Sequence, residues 1–181
     1  MTLYAFNGKR PGLGESVFVA PSARIIGAVR IGRESSVWFN TVIRGDMDAI
    51  TIGQNTNLQD LCVCHTDRGI PLVIGDRVTV GHGCVIHGCT IEDDCLIGMG
   101  AIVMNRSVIG KGSVVAAGSV VLEGTVVPPF SLVAGTPAAV KKSLEGDDRA
   151  AQGIRAAAGI YTANARDFGS SDLFYPIDEQ G

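Results

Sequence analysis

The sequence predicts an all-β solenoid, a parallel β-helix of short strands joined by tight corners. Three observations carry that prediction. An aliphatic residue, or a cysteine in its place, returns every six positions; a small side chain often follows it four places later; and glycine is 24 of 181 residues, about 13% against a usual 7%. A six-residue unit is one strand plus one turn, too small to bury its own aliphatic side. Successive units must wind into coils whose rungs stack around a continuous column of Ile, Val and Leu.

The elements follow in chain order. The segment to Val17 has no readable pattern. Val19, Ile25, Ile31, Val37 and Ile43 then fall six apart, as do Ile52, Leu58 and Cys64, then Ile74, Val80 and Ile86. The run Ile91, Ile97, Val103, Ile109, Val115, Val121, Val127 and Val133 keeps the period without interruption. Three strands per coil make these nineteen positions about six coils. The period breaks three times: three extra residues between Ile43 and Ile52, four between Cys64 and Ile74, and one missing between Ile86 and Ile91. Those breaks are expected to be loops or a tightened corner. Beyond about Pro137 the repeat stops. Asp147 and Asp148 suit a helix start, and Ile154, Ala157, Ala158, Tyr161 and Ala165 have helical spacing, which predicts a helix from roughly Asp147 to Phe168 packed outside the prism. The chain thus divides into a solenoid, 1–138, and a C-terminal helix and tail, 139–181.

Charge and hydropathy exclude several classes. The 15 basic and 18 acidic residues are scattered singly, so no basic stripe exists for nucleic acid or an anionic membrane surface. The longest uncharged run, Gly124 to Val140, carries Pro128, Pro129 and Pro137, which a membrane-spanning helix tolerates poorly. The first twenty residues lack a basic segment followed by an apolar one, so a cytoplasmic location is expected. In that reducing compartment the five cysteines read as compact core residues. Cys62 and Cys84 take the small inward position and Cys64 the aliphatic one, which argues against a thiolate metal site at Cys62, Cys64 and His65.

The three histidines are placed by the repeat. His65 follows Cys64 and His87 follows Ile86, three strands and hence one coil apart, so both face outward in one column. Rungs lie about 4.8 Å apart, a spacing at which two imidazoles can chelate one ion. Arg44 lies one coil earlier in that column. His82 sits on the preceding face, with Asp60 one coil before it and Gln59 alongside, and an extended run from 82 to 87 covers on the order of 16 Å. A closed three-fold assembly would bring the face of one prism against a different face of its neighbour and unite the two half-sites.

Taken together, Arg44-Gly45-Asp46, Asn57-x-Gln59-Asp60, His65, Gly81-His82-x4-His87-Gly88, Gly135-Thr136-Pro137, the hexapeptide run and the final helix resemble the γ-class carbonic anhydrases and relatives called ferripyochelin-binding proteins. The resemblance covers most of the chain. It implies a left-handed helix of triangular coils and a homotrimer. It also implies zinc bound by His65 and His87 of one subunit and His82 of the next, with ferrous iron or cobalt also suited to three imidazoles. Gln59 would orient the metal-bound solvent, Arg44, Asp46 and Asp60 would make interface salt bridges, and Tyr161 would lean over the site. The implied reaction is reversible hydration of carbon dioxide to bicarbonate by a metal-bound hydroxide. The sequence departs from the family archetype where that has proton-transfer glutamates: Met47 follows Arg-Gly-Asp, and the short loop from Thr66 to Val73 has Asp67 as its one acid. An anhydrase-like lyase without the usual carboxylates for fast proton release is the expectation. An acyl-CoA-dependent acyltransferase or thioesterase on the same solenoid, or a noncatalytic metal-binding assembly subunit, is the alternative. An acyltransferase needs one histidine as a general base rather than three.

Overall fold

In the computed structural model, which describes residues 3–176, the repeat winds into a parallel β-solenoid of about seven turns, followed by one helix. One face stacks Leu3–Tyr4, the first half of Arg24–Ile31, the first half of Val42–Ile52, Val63–His65, Val85–His87, Ile102–Val103 and Val120–Val121. That is seven rungs, one more than the nineteen periodic positions account for. The additional coil is the N-terminal segment: Leu3 pairs with Ile25 and Leu13 with Ile31. A small hairpin, closed by Phe6 and Lys9, sets those two leucines ten positions apart and hides the six-residue period. Residues 1–2 and 177–181, the outer ends of the two regions drawn from the sequence, lie outside the described residues.

The aliphatic positions point inward. Ile25, Ile43, Cys64, Ile86, Val103 and Val121 form one fully buried column. The small residue that follows four places later has a distinct task. Thr41 Oγ1 donates to Gln59 O (2.7 Å) and accepts from Cys62 N (3.2 Å), while Thr56 Oγ1 donates to Gly75 O (2.8 Å) and accepts from Val78 N (3.1 Å). A short hydroxyl inside the corner therefore ties each coil to the next and satisfies buried backbone groups. Cys62 and Cys84 do the same with sulfur, reaching Gly81 O at 3.2 Å and Gly98 O at 3.1 Å.

All three breaks of the period fall at the same corner, in successive coils. The extra residues after Ile43 bulge out of the continuous strand Val42–Ile52, where the register jumps from Gly27↔Gly45 to Val29↔Ile50. Those after Cys64 form a loop closed by an antiparallel bridge between Asp67 and Ile70. The coil after Ile86 is one residue short and turns through Gly88, at φ 50°. The loops stacked there surround the column that carries His65 and His87.

Past the last rung the chain doubles back. Ala138–Ser143, a strand the sequence did not predict, pairs antiparallel with Ser131–Gly135 across the boundary drawn at 138. The helix spans Asp148–Phe168, and the side chain of Asp147 caps it by accepting from Ala150 N. Ile154, Ala158 and Ala165 are its buried residues, and it packs on the face built from Phe18–Val19, Ser36–Val37, Asn57–Leu58 and Thr79–Val80. Phe168 reaches Phe18, Trp38 and Phe39 with ring centroids 5.1–6.1 Å apart, in edge-on geometries that aromatic pairs favour. Among the described residues no helix is long and apolar enough to cross a membrane.

Candidate metal centre

Register brings His65 and His87 together as the repeat predicts: they pair directly on neighbouring strands, and Arg44 pairs with His65 one coil earlier. Their rings meet through His65 Nδ1 and His87 Nε2, 3.0 Å apart. Each ring's other nitrogen faces an oxygen. His65 Nε2 lies 2.9 Å from Asp46 Oδ1, and His87 Nδ1 lies 2.7 Å from Asn105 Oδ1. A carboxylate oxygen only accepts, so His65 carries its hydrogen on Nε2 and presents a lone pair from Nδ1. The Asn105 oxygen acts likewise on His87 Nδ1. Two lone pairs then face each other across 3.0 Å, an arrangement that repels unless a proton or a metal ion lies between them. Two nitrogens bound tetrahedrally to one zinc at about 2.05 Å are roughly 3.3 Å apart, so the pair fits such an ion with little movement.

Asp46 also receives Arg44, its neighbour on the bulge. Burial pushes its carboxyl upward, but hydrogen bonds from His65 and Arg44 outweigh that and hold it below the usual carboxylate range. Arg44 and Asp46 therefore pair within one chain, whatever they meet on a neighbour.

His82 stands at a different corner. Its Nδ1 is 2.8 Å from Asp60 Oδ2, and Asp60 is itself held by Phe39 N at 3.1 Å. The remaining nitrogen, Nε2, faces the hydroxyl of Tyr161 at 3.3 Å. Burial, together with the charge of Asp60, raises the Tyr161 phenol above its ordinary value, so it stays a donor. Trp38 fixes that tyrosine, its ring centroid 5.2 Å away and nearly perpendicular. Gln59 is buried beside Asp60, its amide nitrogen donating to Asn57 Oδ1 (3.3 Å), and Asn57 is in turn held by Thr79 (3.0 Å). Within one chain, and among the described residues, no three His, Cys, Asp or Glu side chains gather around a common point. All three histidines nonetheless share one design: a nitrogen pinned by an outer oxygen and a lone pair presented by the other, as histidine ligands of metals are commonly supported.

The cysteines are elsewhere engaged. All five are buried, and desolvation pushes Cys89 and Cys95 up to about 12 and Cys64 higher still. Hydrogen bonding to Cys84, with burial, raises Cys62 in the same direction. These four thiols do not ionise to become ligands at neutral pH; Cys84, lowered by its hydrogen bond with Cys62, is occupied at Gly98 O, 3.1 Å away. Asn105 is the site residue that the repeat did not single out. No periodic signal marked it; it lies across from Gly88 on the next coil, where Arg106 N bonds Gly88 O.

The coils define a hexapeptide-repeat solenoid, and known proteins agree. Residues 88–123 match the family described as Bacterial transferase hexapeptide (six repeats). The chain is 57% identical over 132 residues to a Methanocaldococcus jannaschii protein named "Probable carbonic anhydrase", covering 73% of this chain and 83% of that one. It is 47% identical over 110 residues to gamma carbonic anhydrase 2, mitochondrial, of Arabidopsis thaliana, covering 58% of this chain and only 40% of that longer protein. A solved structure of a hexapeptide transferase family protein from Anaplasma phagocytophilum superposes with a TM-score of 0.87 at 40% identity, over 91% of this chain and 96% of that one. The chain belongs to the γ-class carbonic anhydrase family.

Proposed function

We propose that this protein catalyses the metal-dependent, reversible hydration of carbon dioxide to bicarbonate in a homotrimer. His65 and His87 of one subunit and His82 of a neighbouring subunit would hold the ion. The observation that carries the reading is the facing pair of lone pairs at His65 Nδ1 and His87 Nε2, each fixed from behind, with a third imidazole prepared in the same way at another corner. An ion held by these three imidazoles, zinc, ferrous iron or cobalt, would supply water activated near neutral pH for attack on carbon dioxide.

The chain's own residues supply the rest. Asp46 and Asp60 keep His65 and His82 in the tautomers that present a lone pair, and Arg44 holds Asp46. Gln59, anchored through its amide nitrogen, has its oxygen left to accept from the reacting water. Tyr161 OH donates to His82 Nε2 in the single chain and must release that nitrogen for a ligand to form. Assembly has support in the surface. Val63, Val85, Ile102 and Val120 make an outward column beside His65 and His87, with Val63 41% and Ile102 37% exposed, as suits a face covered by another subunit. Met47, half exposed at the bulge, offers no proton acceptor where the archetype has a glutamate.

The test is stopped-flow carbon dioxide hydration on anaerobically purified protein, with metal content measured on the same sample. Activity should rise with metal occupancy and vanish in His87→Ala. A fully metallated protein without hydration at any pH would overturn the reading, and thioester hydrolysis would then be assayed.

A further inference from the structure

The oxygen behind His87 differs from the other two supports, because it belongs to an amide that could present either end. Asn105 Nδ2 donates to Asp67 Oδ2 at 2.8 Å. Asp67, as a carboxylate, only accepts, so the amide must turn its nitrogen to Asp67 and its oxygen to His87 Nδ1. Asp67 therefore decides, two bonds away, which nitrogen of His87 carries the hydrogen. The inserted loop that bears Asp67 is itself tied down: Gly69 N donates to Asp48 Oδ2 (2.9 Å), and Asp48 N donates to Thr66 Oγ1 (3.0 Å). Space for the contact comes from the shortened coil. A Cβ on Gly88 would lie 2.3 Å from Asn105 Oδ1 and 2.8 Å from Ile70 Cγ2, so any side chain there displaces Asn105 or the loop.

We propose that Asp67, Asn105 and Gly88 act as positioning residues that hold His87 in the tautomer with hydrogen on Nδ1, keeping Nε2 free for the ion shared with His65. The proposal rests on the metal-centre reading for its purpose, and on this geometry alone for the tautomer. It also gives Asp67 a task other than carrying protons: both longer loops of this corner supply an oxygen-bearing support for the histidine column, Asp46 directly and Asp67 through Asn105.

With three histidines in the chain, ¹⁵N-histidine labelling makes each imidazole separately observable. The experiment records multiple-bond ¹H–¹⁵N spectra of the chelator-stripped full-length protein and measures Zn²⁺ affinity against a chromophoric chelator. Wild type, Asn105→Leu, Gly88→Ala and the exchanged double variant Asp67→Asn with Asn105→Asp are compared. The wild type should show hydrogen on Nδ1 of His87. Asn105→Leu should lose that preference and bind Zn²⁺ about 10–100-fold more weakly, as removal of an outer support of a metal-bound histidine typically does. The exchange restores the polarity of the chain, a donor amide at 67 feeding an acceptor carboxylate at 105, and should recover the tautomer and most of the affinity. An unchanged His87 tautomer in Asn105→Leu, or an exchanged variant no better than Asn105→Leu, would overturn the proposal. A tautomer that follows Asn105 in a protein that never binds Zn²⁺ would uphold the positioning and remove the metal-centre reading instead.

Discussion

The coils from Ile91 to Val133 and the coils from Ile43 to Ile91 are built from the same six-residue unit, yet they differ in what they hold. The later coils keep the period without a break, and their corners are closed by Ser107, Ser113 and Ser119. The earlier coils break the period three times, always at one corner, and carry the three histidines with Asp46 and Asp67. Repetition makes a scaffold whose rung spacing is set by backbone hydrogen bonds; departures from repetition place chemistry on it. Asn105 is the point where the regular part reaches back into the irregular one.

The largest effect that would break this contrast concerns the histidines. His65→Ala and His82→Ala should each lose the metal altogether, a loss beyond the roughly 10–100-fold typical of outer supports. Co-expressed at equal levels, the two variants should regain about a quarter of the sites by random mixing in a ring. Metal analysis of the mixed trimers checks this, and no recovery would mean that the three ligands are not shared between subunits. Next, Ile97→Ala in the regular stack, at a fully buried position, should cost about 2–5 kcal/mol in denaturant unfolding and leave Zn²⁺ affinity unchanged. A matching loss of affinity would show that scaffold and site are not separable. A smaller effect is expected at Arg77, which grips Asp94 through Nε at 2.7 Å and Nη2 at 3.0 Å. That hydrogen bonding holds the Asp94 carboxyl below its ordinary value. Its contribution is therefore present above the unfolded carboxyl pKa of about 3.9 and is lost as the pH falls through the folded value. Arg77→Ala should cost at most about 1 kcal/mol at neutral pH, a difference that should vanish in acid, as unfolding measured from pH 7 to pH 2 would reveal. The smallest effect is Cys62→Ser. A hydroxyl can take over the bond to Gly81 O, so stability should change by no more than about 1 kcal/mol and metal content not at all. Loss of metal in that variant would reinstate the thiolate site.

The legibility of the sequence follows the same division. Every rung from Val19 to Val133 could be read, because inward positions repeat and the core accepts little besides Ile, Val, Leu and Cys there. The first coil could not, since ten positions separate Leu3 from Leu13 and a hairpin fills the interval. Counting rungs put His65 against His87 and Asp60 beneath His82, because parallel pairing in register turns a sequence offset into a contact. Counting could not reveal Asp46 beside His65 or Asn105 beside His87. Those contacts depend on how a bulge and a shortened turn aim their side chains, and such corners follow no period. The helix was legible from its spacing and its Asp147 cap, whereas the strand Ala138–Ser143, all small or charged except Val140, bears no alternation to mark it.

Parallel, in-register stacking has one more consequence. The separation of His65 and His87 is not set by two flexible side chains finding each other; it is inherited from a ladder of amide hydrogen bonds that runs the length of the prism. A rung cannot slide to suit a longer or shorter ligand without disturbing the rungs on either side. The backbone thus works as a ruler with fixed graduations, and the range of ions the pair can grasp is a property of the sheet as much as of the imidazoles.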